Sequence, residues 1–196
     1  MASMFDVFLD RDGTLNVDTG YVSRVSDFSF TPGCVQALQV LRNAGARFSI
    51  VTGQSGIARG KYTEDEMHAF NAHLVEQLNA FGINISAIAF CPHHPKVSDC
   101  DCRKPKTGML QQIEQKLGRI DWKSAWGIGD KPTDSEMMLA MGGKAVLLRP
   151  GPHNALTGET YWSEVDPGLA DLLADERNFV ADNIGDAVRI ILAHQN

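Results

Sequence analysis

MFDVFLDRDGT, at residues 4–14, begins as a short, largely apolar run and ends in two aspartates separated by one arginine. Residues 4–9 are rich in aromatic and branched side chains, and turn residues follow at once, the pattern of a buried β-strand. Runs of the same kind recur at 47–52 (RFSIVT), 85–91 (ISAIAFC), 124–129 (SAWGIG) and 144–149 (KAVLLR), and NFVAD at 178–182 suggests a sixth. Helical patterns lie between them. PGCVQALQVLRNAG (32–45) opens on proline and closes on glycine, as helices favour. In TEDEMHAFNAHLVEQLNAFG (63–82), Thr63 stands three residues before Glu66, the spacing of a capping box. GMLQQIEQKLG (108–118), DSEMMLAMG (134–142) and IGDAVRIILAH (184–194) complete the helical set.

Strands alternating with helices predict βαβ units, and therefore a three-layer, Rossmann-like α/β fold with a parallel sheet and helices on both faces. No internal repeat or linker interrupts residues 1–196, so one domain is expected. Residues 150–177 are punctuated by glycine and proline and predict surface structure around one short helix. In such sheets ligands bind beyond the carboxyl ends of the strands. Those ends carry Asp10-Arg11-Asp12, then Thr52-Gly53-Gln54-Ser55, then a cysteine cluster, then Gly129-Asp130-Lys131. Polar groups from four strands thus converge on one edge.

Composition narrows the function classes. Apolar residues make up 43% and charged residues 21%, ordinary globular usage, and the net charge is −6. An acidic chain argues against a general nucleic-acid or membrane-surface binder. An anionic substrate would need locally concentrated cations, for which CRKPK (102–106) and GDKP (129–132) are candidates. No apolar run approaches a membrane span, and residues 1–10 lack the basic region and cleavage site of a signal peptide. A cytoplasmic protein is expected.

Two carboxylates two residues apart, just past a buried strand, can divide a reaction between them. One acts as nucleophile and its neighbour as general acid and then base. Asp12-Gly13 also fits a plain turn. Asp10, the backbone carbonyl of Asp12, and Asp130 offer the oxygen ligands that Mg²⁺ takes.

The stretch CPHHPKVSDCDCRKPK (91–106) holds three of the four cysteines. Its spacing is Cys91-x-His93, six residues, then Cys100-x-Cys102, and three thiolates plus one imidazole make a tetrahedral zinc set. Loosely placed core thiols or a redox pair are the alternatives. Cys-x-Cys is a poor disulfide and the stretch is too polar for a core, which favours metal. Four protein ligands leave no open position, so the zinc would be structural. His94 lies beside the set or in solvent. The helix that follows lacks base-reading side chains, so a nucleic-acid finger is not expected.

DRDGT at 10–14, Thr52 after an apolar strand, Lys104, and GDKPTD at 129–134 resemble the four motifs of the haloacid dehalogenase superfamily of phosphohydrolases. More closely, FLDRDGTLN, DTGYV, QSGIARG, CPHHP…CDCRKPKTGM and GDK resemble the D-glycero-D-manno-heptose-1,7-bisphosphate phosphatases and the related histidinol-phosphate phosphatases. The resemblance spans residues 4–150 and the motifs occur in order. It implies Asp10 as nucleophile, Asp12 as general acid and base, Thr52 and Lys104 on the transferring phosphoryl group, and Asp130 on Mg²⁺. It places His93 among the zinc ligands and gives Arg103 a substrate-recognition role. Asp18 and Tyr21, in the short segment 15–30, would contact substrate, although a plain surface turn fits them nearly as well. Gln54, Ser55 and Lys131 complete the candidate substrate contacts. Segment 15–30 is too short for a separate cap domain, so a minimal cap is expected.

Two features depart from the family. Thr52-Gly53-Gln54-Ser55 stands where the family has Thr-Asn-Gln-Ser, which removes a side-chain amide and would shift substrate preference or reduce activity. Asp134 could cap its helix or serve the metal site indirectly, the cap being favoured. The resulting readings are a Mg²⁺-dependent heptose bisphosphate phosphatase serving lipopolysaccharide synthesis, the same chemistry on histidinol phosphate or another small phosphomonoester, or a catalytically weak zinc-stabilised binding protein. A small phosphorylated sugar is the expected partner, with no nucleic acid or membrane, acting on a monomer. His68 and His73 read as solvated, Cys34 and Met137, Met138 and Met141 as packing, and the three tryptophans carry no assignment.

Overall fold

The structure, a computed structural model, describes residues 4–94, 96, 99–151, 162 and 167–195. Six parallel strands form one sheet in the order β3-β2-β1-β4-β5-β6. They are β1 (Phe5–Leu9), β2 (Ala46–Gly53), β3 (Ile85–Cys91), β4 (Trp126–Gly129), β5 (Lys144–Leu148) and β6 (Asn178–Ala181). Among the described residues six α-helices connect and follow them, namely α1 (Cys34–Asn43), α2 (Glu64–Ala80), α3 (Gly108–Leu117), α4 (Pro132–Ala140), α5 (Ala170–Ala174) and α6 (Ile184–Ala193).

Alternation along β1 explains the layers. Phe5, Val7 and Leu9 face one side, where Leu38 and Leu41 of α1, Leu74 and Leu78 of α2, and Val188 and Ile191 of α6 cover them. Phe8 faces the other side and packs with Met109, Leu110 and Ile113 of α3 and Met137 and Met138 of α4. A central strand of a parallel sheet is buried on both faces, which is why residues 5–9 are almost continuously apolar. Order reverses beside β1, because α1 leads outward to β2 and a later crossover returns to β4. That switch point opens a crevice at the carboxyl ends of β1 and β4.

Local chemistry sets the element ends. The Thr63 hydroxyl accepts from Glu66 N–H at 3.2 Å, and Glu66 Oε2 accepts from Thr63 N–H at 2.7 Å, closing the expected capping box. Gly45 and Gly82 stand just past α1 and α2 at φ 97 and 73°, the left-handed turn that glycine supplies at a helix end.

Three expectations change. β4 starts at Trp126 because residues Trp122–Ser124 form a 3-10 turn that stacks Trp122 on Phe8 at 5.3 Å. α4 starts at Pro132, so Asp134 sits within its first turn rather than ahead of it. His73 is half-buried, edge-on to Phe28 at 5.1 Å, whereas His68 is exposed. In the region 150–177, a 3-10 turn at Pro167–Leu169 leads into α5, and residues 152–161 and 163–166 lie outside the described residues. Segment 15–30 holds a single 3-10 turn, Val25–Asp27, tied to the body by bridges from Asn16 to Asp12 and to Phe30.

Candidate active site

At the carboxyl ends of β1, β2 and β4 lies a cavity of about 440 Å³, lined by Asp10, Asp12, Asp18–Tyr21, Thr52, Gly53, Ser55, Arg103, Lys104, Lys131 and Asp134 among others. Asp10 is the first residue past β1, and its N–H donates to Ile128 O at 2.9 Å. This bond keeps the strand geometry running to the crevice edge and aims the carboxylate into it.

Lys104 reaches in from the loop before α3. Its ammonium lies 2.6 Å from Asp10 Oδ1 and 2.6 Å from Asp134 Oδ1, with all three side chains under 10% exposed. Asp134 Oδ2 also accepts from Lys131 N–H at 3.0 Å, so this residue caps α4 and joins the site at once. The cap expected from the sequence is present, and the same side chain also pairs with Lys104. Carboxylate oxygens of Asp10, Asp130 and Asp134 lie within 4.8 Å of one another, and all three residues are buried.

That concentration of charge is the chief electrostatic fact. Burial pushes the Asp10 carboxyl up to about 6; Lys104 pulls against the rise and Asp134 adds to it. Burial likewise raises Asp130 well above the usual carboxylate range, with Asp10 contributing. Burial works against the Lys104 ammonium, but Asp10 and Asp134 outweigh it and lift that group to about 12. Lys131 is raised in the same way by Asp130 and Asp10. Three buried carboxylates facing the ammoniums of Lys104 and Lys131 leave negative charge in excess. An all-oxygen set of this kind fits a hard divalent cation such as Mg²⁺.

Asp12 points into a different setting. Arg11 is fully buried, and its Nε and Nη2 donate to Asp12 Oδ1 and Oδ2 at 3.0 and 2.8 Å. Asn16 and Gln54 each add a bond at 3.0 Å, one to each oxygen. Burial opposes the ionised form, but Arg11 and these bonds hold the Asp12 carboxyl below its usual range. Arg11 itself is anchored to Asn71 of α2 at 2.9 Å, to Val22 O at 3.0 Å, and over the Phe70 ring. The sequence reading assigned Arg11 nothing, although a basic residue between two carboxylates at a strand end is a visible signal.

Gln54 is a correction. It was expected to touch substrate, yet it is fully buried beneath the cavity. Its amide nitrogen donates to Thr52 Oγ1 at 2.7 Å and to Asp12 Oδ2, and its oxygen accepts from Tyr62 Oη at 2.6 Å and from Arg11 at 3.1 Å. With every polar position spent inward, Gln54 orients Thr52 and Asp12 instead. Tyr62, also unforeseen, covers it and lines the cavity. Asp18 turns its carboxylate to Gly20 N–H at 2.8 Å, which curls residues 18–21 along the cavity mouth and leaves Tyr21 43% exposed at φ 53°. Trp162 is buried, and its indole N–H donates to the Asp130 carbonyl at 3.1 Å, bracing the turn after β4.

The second cluster sits at the end of β3. Cys91 Sγ lies 3.7 Å from Cys100 Sγ and 3.7 Å from His93 Nδ1, and His93 Nδ1 lies 3.2 Å from Cys102 Sγ. A tetrahedron of sulfurs at the usual Zn–S distance has edges of about 3.8 Å, so these spacings match a zinc centre. All four cysteines are free thiols. Burial opposes the Cys100 thiolate, but bonds to Cys102 and Cys91 bring that thiol down to about 7, while burial raises Cys91 and Cys102. His94 turns away and accepts from Lys96 N–H at 3.0 Å. The cluster and α3 clamp the intervening loop from both sides. Gly108 N–H donates to Asp101 O at 3.0 Å, and a Cβ on Gly108 would strike that carbonyl, so the helix packs directly on the cysteine segment. Arg103 and Lys104 lie between these two fixed points.

A family model described as polynucleotide kinase 3 phosphatase matches residues 5–139, and a HAD-hydrolase-like model matches residues 101–187. A D-glycero-beta-D-manno-heptose-1,7-bisphosphate 7-phosphatase of Yersinia pestis is 40% identical over 173 residues, covering 85% of this chain and 92% of that protein. The protein of the same name from Haemophilus influenzae is 38% identical over 193 residues, covering 94% and 95%. Among solved structures, a D,D-heptose 1,7-bisphosphate phosphatase from B. bronchiseptica, complexed with magnesium and phosphate, superposes with a TM-score of 0.77 at 26% identity, covering 97% of this chain and 99% of that one.

Proposed function

Because the chain belongs to the D-glycero-beta-D-manno-heptose-1,7-bisphosphate 7-phosphatase family of haloacid dehalogenase-like hydrolases, we propose that it is a Mg²⁺-dependent phosphatase of that sugar bisphosphate, removing the 7-phosphate. The observation that carries the reading is Lys104 seated between Asp10 and Asp134 within a buried carboxylate cluster at the sheet's switch point.

Asp10 attacks phosphorus, forming an aspartyl-phosphate as the bond to the sugar oxygen breaks. Asp12 gives a proton to that leaving oxygen. Its resting form is the carboxylate held by Arg11, so it takes this proton from solvent as the anionic phosphoryl group enters beside it. Asp12 then accepts a proton from water, which attacks the aspartyl-phosphate, frees inorganic phosphate and restores Asp10. Thr52, oriented by Gln54, donates to the phosphoryl oxygens, and Lys104 neutralises their charge. Asp10, Asp130 and Asp134, with the backbone carbonyl of Asp12, would hold Mg²⁺, which supplies charge neutralisation to the phosphoryl oxygens. Arg103, Lys131, Ser55, Asp18 and Tyr21 line the remaining wall and bind the sugar.

Cys91, His93, Cys100 and Cys102 bind a structural zinc that fixes the loop carrying Arg103 and Lys104. The whole chain works as one catalytic domain, a monomer in the cytoplasm, supplying heptose for lipopolysaccharide. In keeping with this, no helix among the described residues is long and apolar enough to cross a membrane.

The test is phosphate release with Mg²⁺ from heptose 1,7-bisphosphate, in both anomers, beside histidinol phosphate. The heptose ester is the preferred substrate, and Asp10→Asn abolishes turnover. Preference for histidinol phosphate would replace the substrate; activity surviving Asp10→Asn would remove the nucleophile.

A further inference from the structure

Two glycines line the cavity on the segment that leaves β2, and packing accounts for only one of them. A Cβ on Gly56 would run into the Tyr62 ring, so glycine there lets that ring cover Gln54. Gly53 has no such reason. Its φ is not in the left-handed region, so any residue could adopt its backbone. A Cβ there would meet no heavy atom within 4 Å. Gly53 ends β2, paired with Cys91 of β3, and glycine weakens a strand by its freedom in the unfolded chain. The fold therefore gains nothing from the missing side chain.

What gains is the cavity. Gly53 is exposed and lines the wall beside Thr52 and Ser55, in the same cavity as the rings of Tyr21 and Tyr62. Tyr21 is 43% exposed at the mouth, with Lys61 Nζ 5.9 Å from its ring centroid on one face and the rest of its aromatic surface open to what enters. Open volume next to the phosphoryl-binding threonine, together with accessible aromatic surface, suits a leaving group that is broad or flat.

We propose that Gly53 is a specificity-determining residue that widens the substrate range of this phosphatase to bulky and aromatic phosphomonoesters, in addition to the sugar bisphosphate. This rests on the reading of the site as a phosphomonoesterase. The reaction is the same one, with an aryl or other bulky alcohol leaving in place of the sugar oxygen and water consumed to give inorganic phosphate.

Steady-state kinetics of wild type, Gly53→Ala and Gly53→Asn on heptose 1,7-bisphosphate and on p-nitrophenyl phosphate test it. Filling the gap raises the ratio of kcat/KM for the sugar over that for the aryl ester by about tenfold or more in Gly53→Asn, the scale on which pocket shape discriminates. Gly53→Ala moves it less, in the same direction, and the change lies chiefly in KM for the aryl ester. Thermal unfolding of Gly53→Ala shows no loss of stability. A ratio that stays constant or falls in both variants overturns the proposal. So does a Gly53→Ala protein that melts several degrees lower, because glycine would then serve the fold. A wild-type protein that hydrolyses neither ester overturns the phosphomonoesterase reading itself, a result distinct from active protein with an unaltered ratio.

Discussion

Replacing Asp10 with Asn is expected to end turnover and to make the metal-free protein more stable. Burial sets the Asp10 carboxyl at about 6, against about 3.9 for an exposed aspartate. The folded pKa is the higher one, so ionising Asp10 works against folding. The penalty is absent below about pH 4, grows between the two values, and is complete above about pH 6. A shift of this size corresponds to about 3 kcal/mol at pH 7.5. Asn removes the charge but keeps an oxygen for Lys104, which also retains Asp134. For a chain of this length the gain is a rise in Tm of about 6–12 °C.

The assay is thermal unfolding of wild type and Asp10→Asn in chelator, at pH 7.5 and near pH 4, and again with Mg²⁺. The gain is expected at pH 7.5, nearly absent near pH 4, and reduced by Mg²⁺, which stabilises the three-carboxylate wild type more strongly. Asp12→Asn provides the contrast. It also ends turnover, but it strips the fully buried Arg11 of its counter-charge and lowers stability by about 3 kcal/mol. Two inactive variants thus move Tm in opposite directions. A metal-free Asp10→Asn protein that melts at or below wild type at pH 7.5 would refute the claim that charge crowding dominates this site.

Other outcomes follow from the same contacts. Lys104→Ala removes the ammonium that bridges Asp10 and Asp134, and kcat falls by about a hundredfold or more, with the acid limb of its pH profile moved upward as Asp10 loses its nearest cation; a kcat within a few fold of wild type would be contrary. Purified protein carries about one zinc per chain, the four-ligand stoichiometry, and Cys100→Ser loses both the zinc and most of kcat with Mg²⁺ present; folded, fully active, zinc-free protein would separate the cluster from Lys104. Gln54→Ala lowers kcat more than it raises KM, since the residue orients Thr52 and Asp12 from beneath the cavity; a pure KM effect would restore it as a substrate contact.

Much of the site is written as strand-end chemistry. Asp10, Thr52, Lys131 and the cysteine spacing were legible because a parallel sheet sends its strand ends to one edge, and sequence position along a strand then gives location. Gln54 misled for the same reason. It follows β2 like a substrate residue, but which way its amide turns depends on Arg11, Asp12 and Tyr62, which come from two other places in the chain. Asp134 reads as a helix cap from its place beside Pro132, and its second bond, to Lys104, exists only because the loop before α3 crosses the cavity.

The sequence by itself determined the α/β class and the order of its elements, and it set the Asp10–Asp12 pair and the Cys91, His93, Cys100 and Cys102 cluster side by side, because each rests on periodicity or on spacing within a few residues. Only the tertiary structure decided how charge is shared. It buried Arg11 against Asp12, crowded Asp10, Asp130 and Asp134 together beside Lys104 and Lys131, and left open the space beside Gly53. The reason is that burial and Coulomb energy depend on distances between residues far apart in the chain, and those distances are fixed only when the sheet assembles.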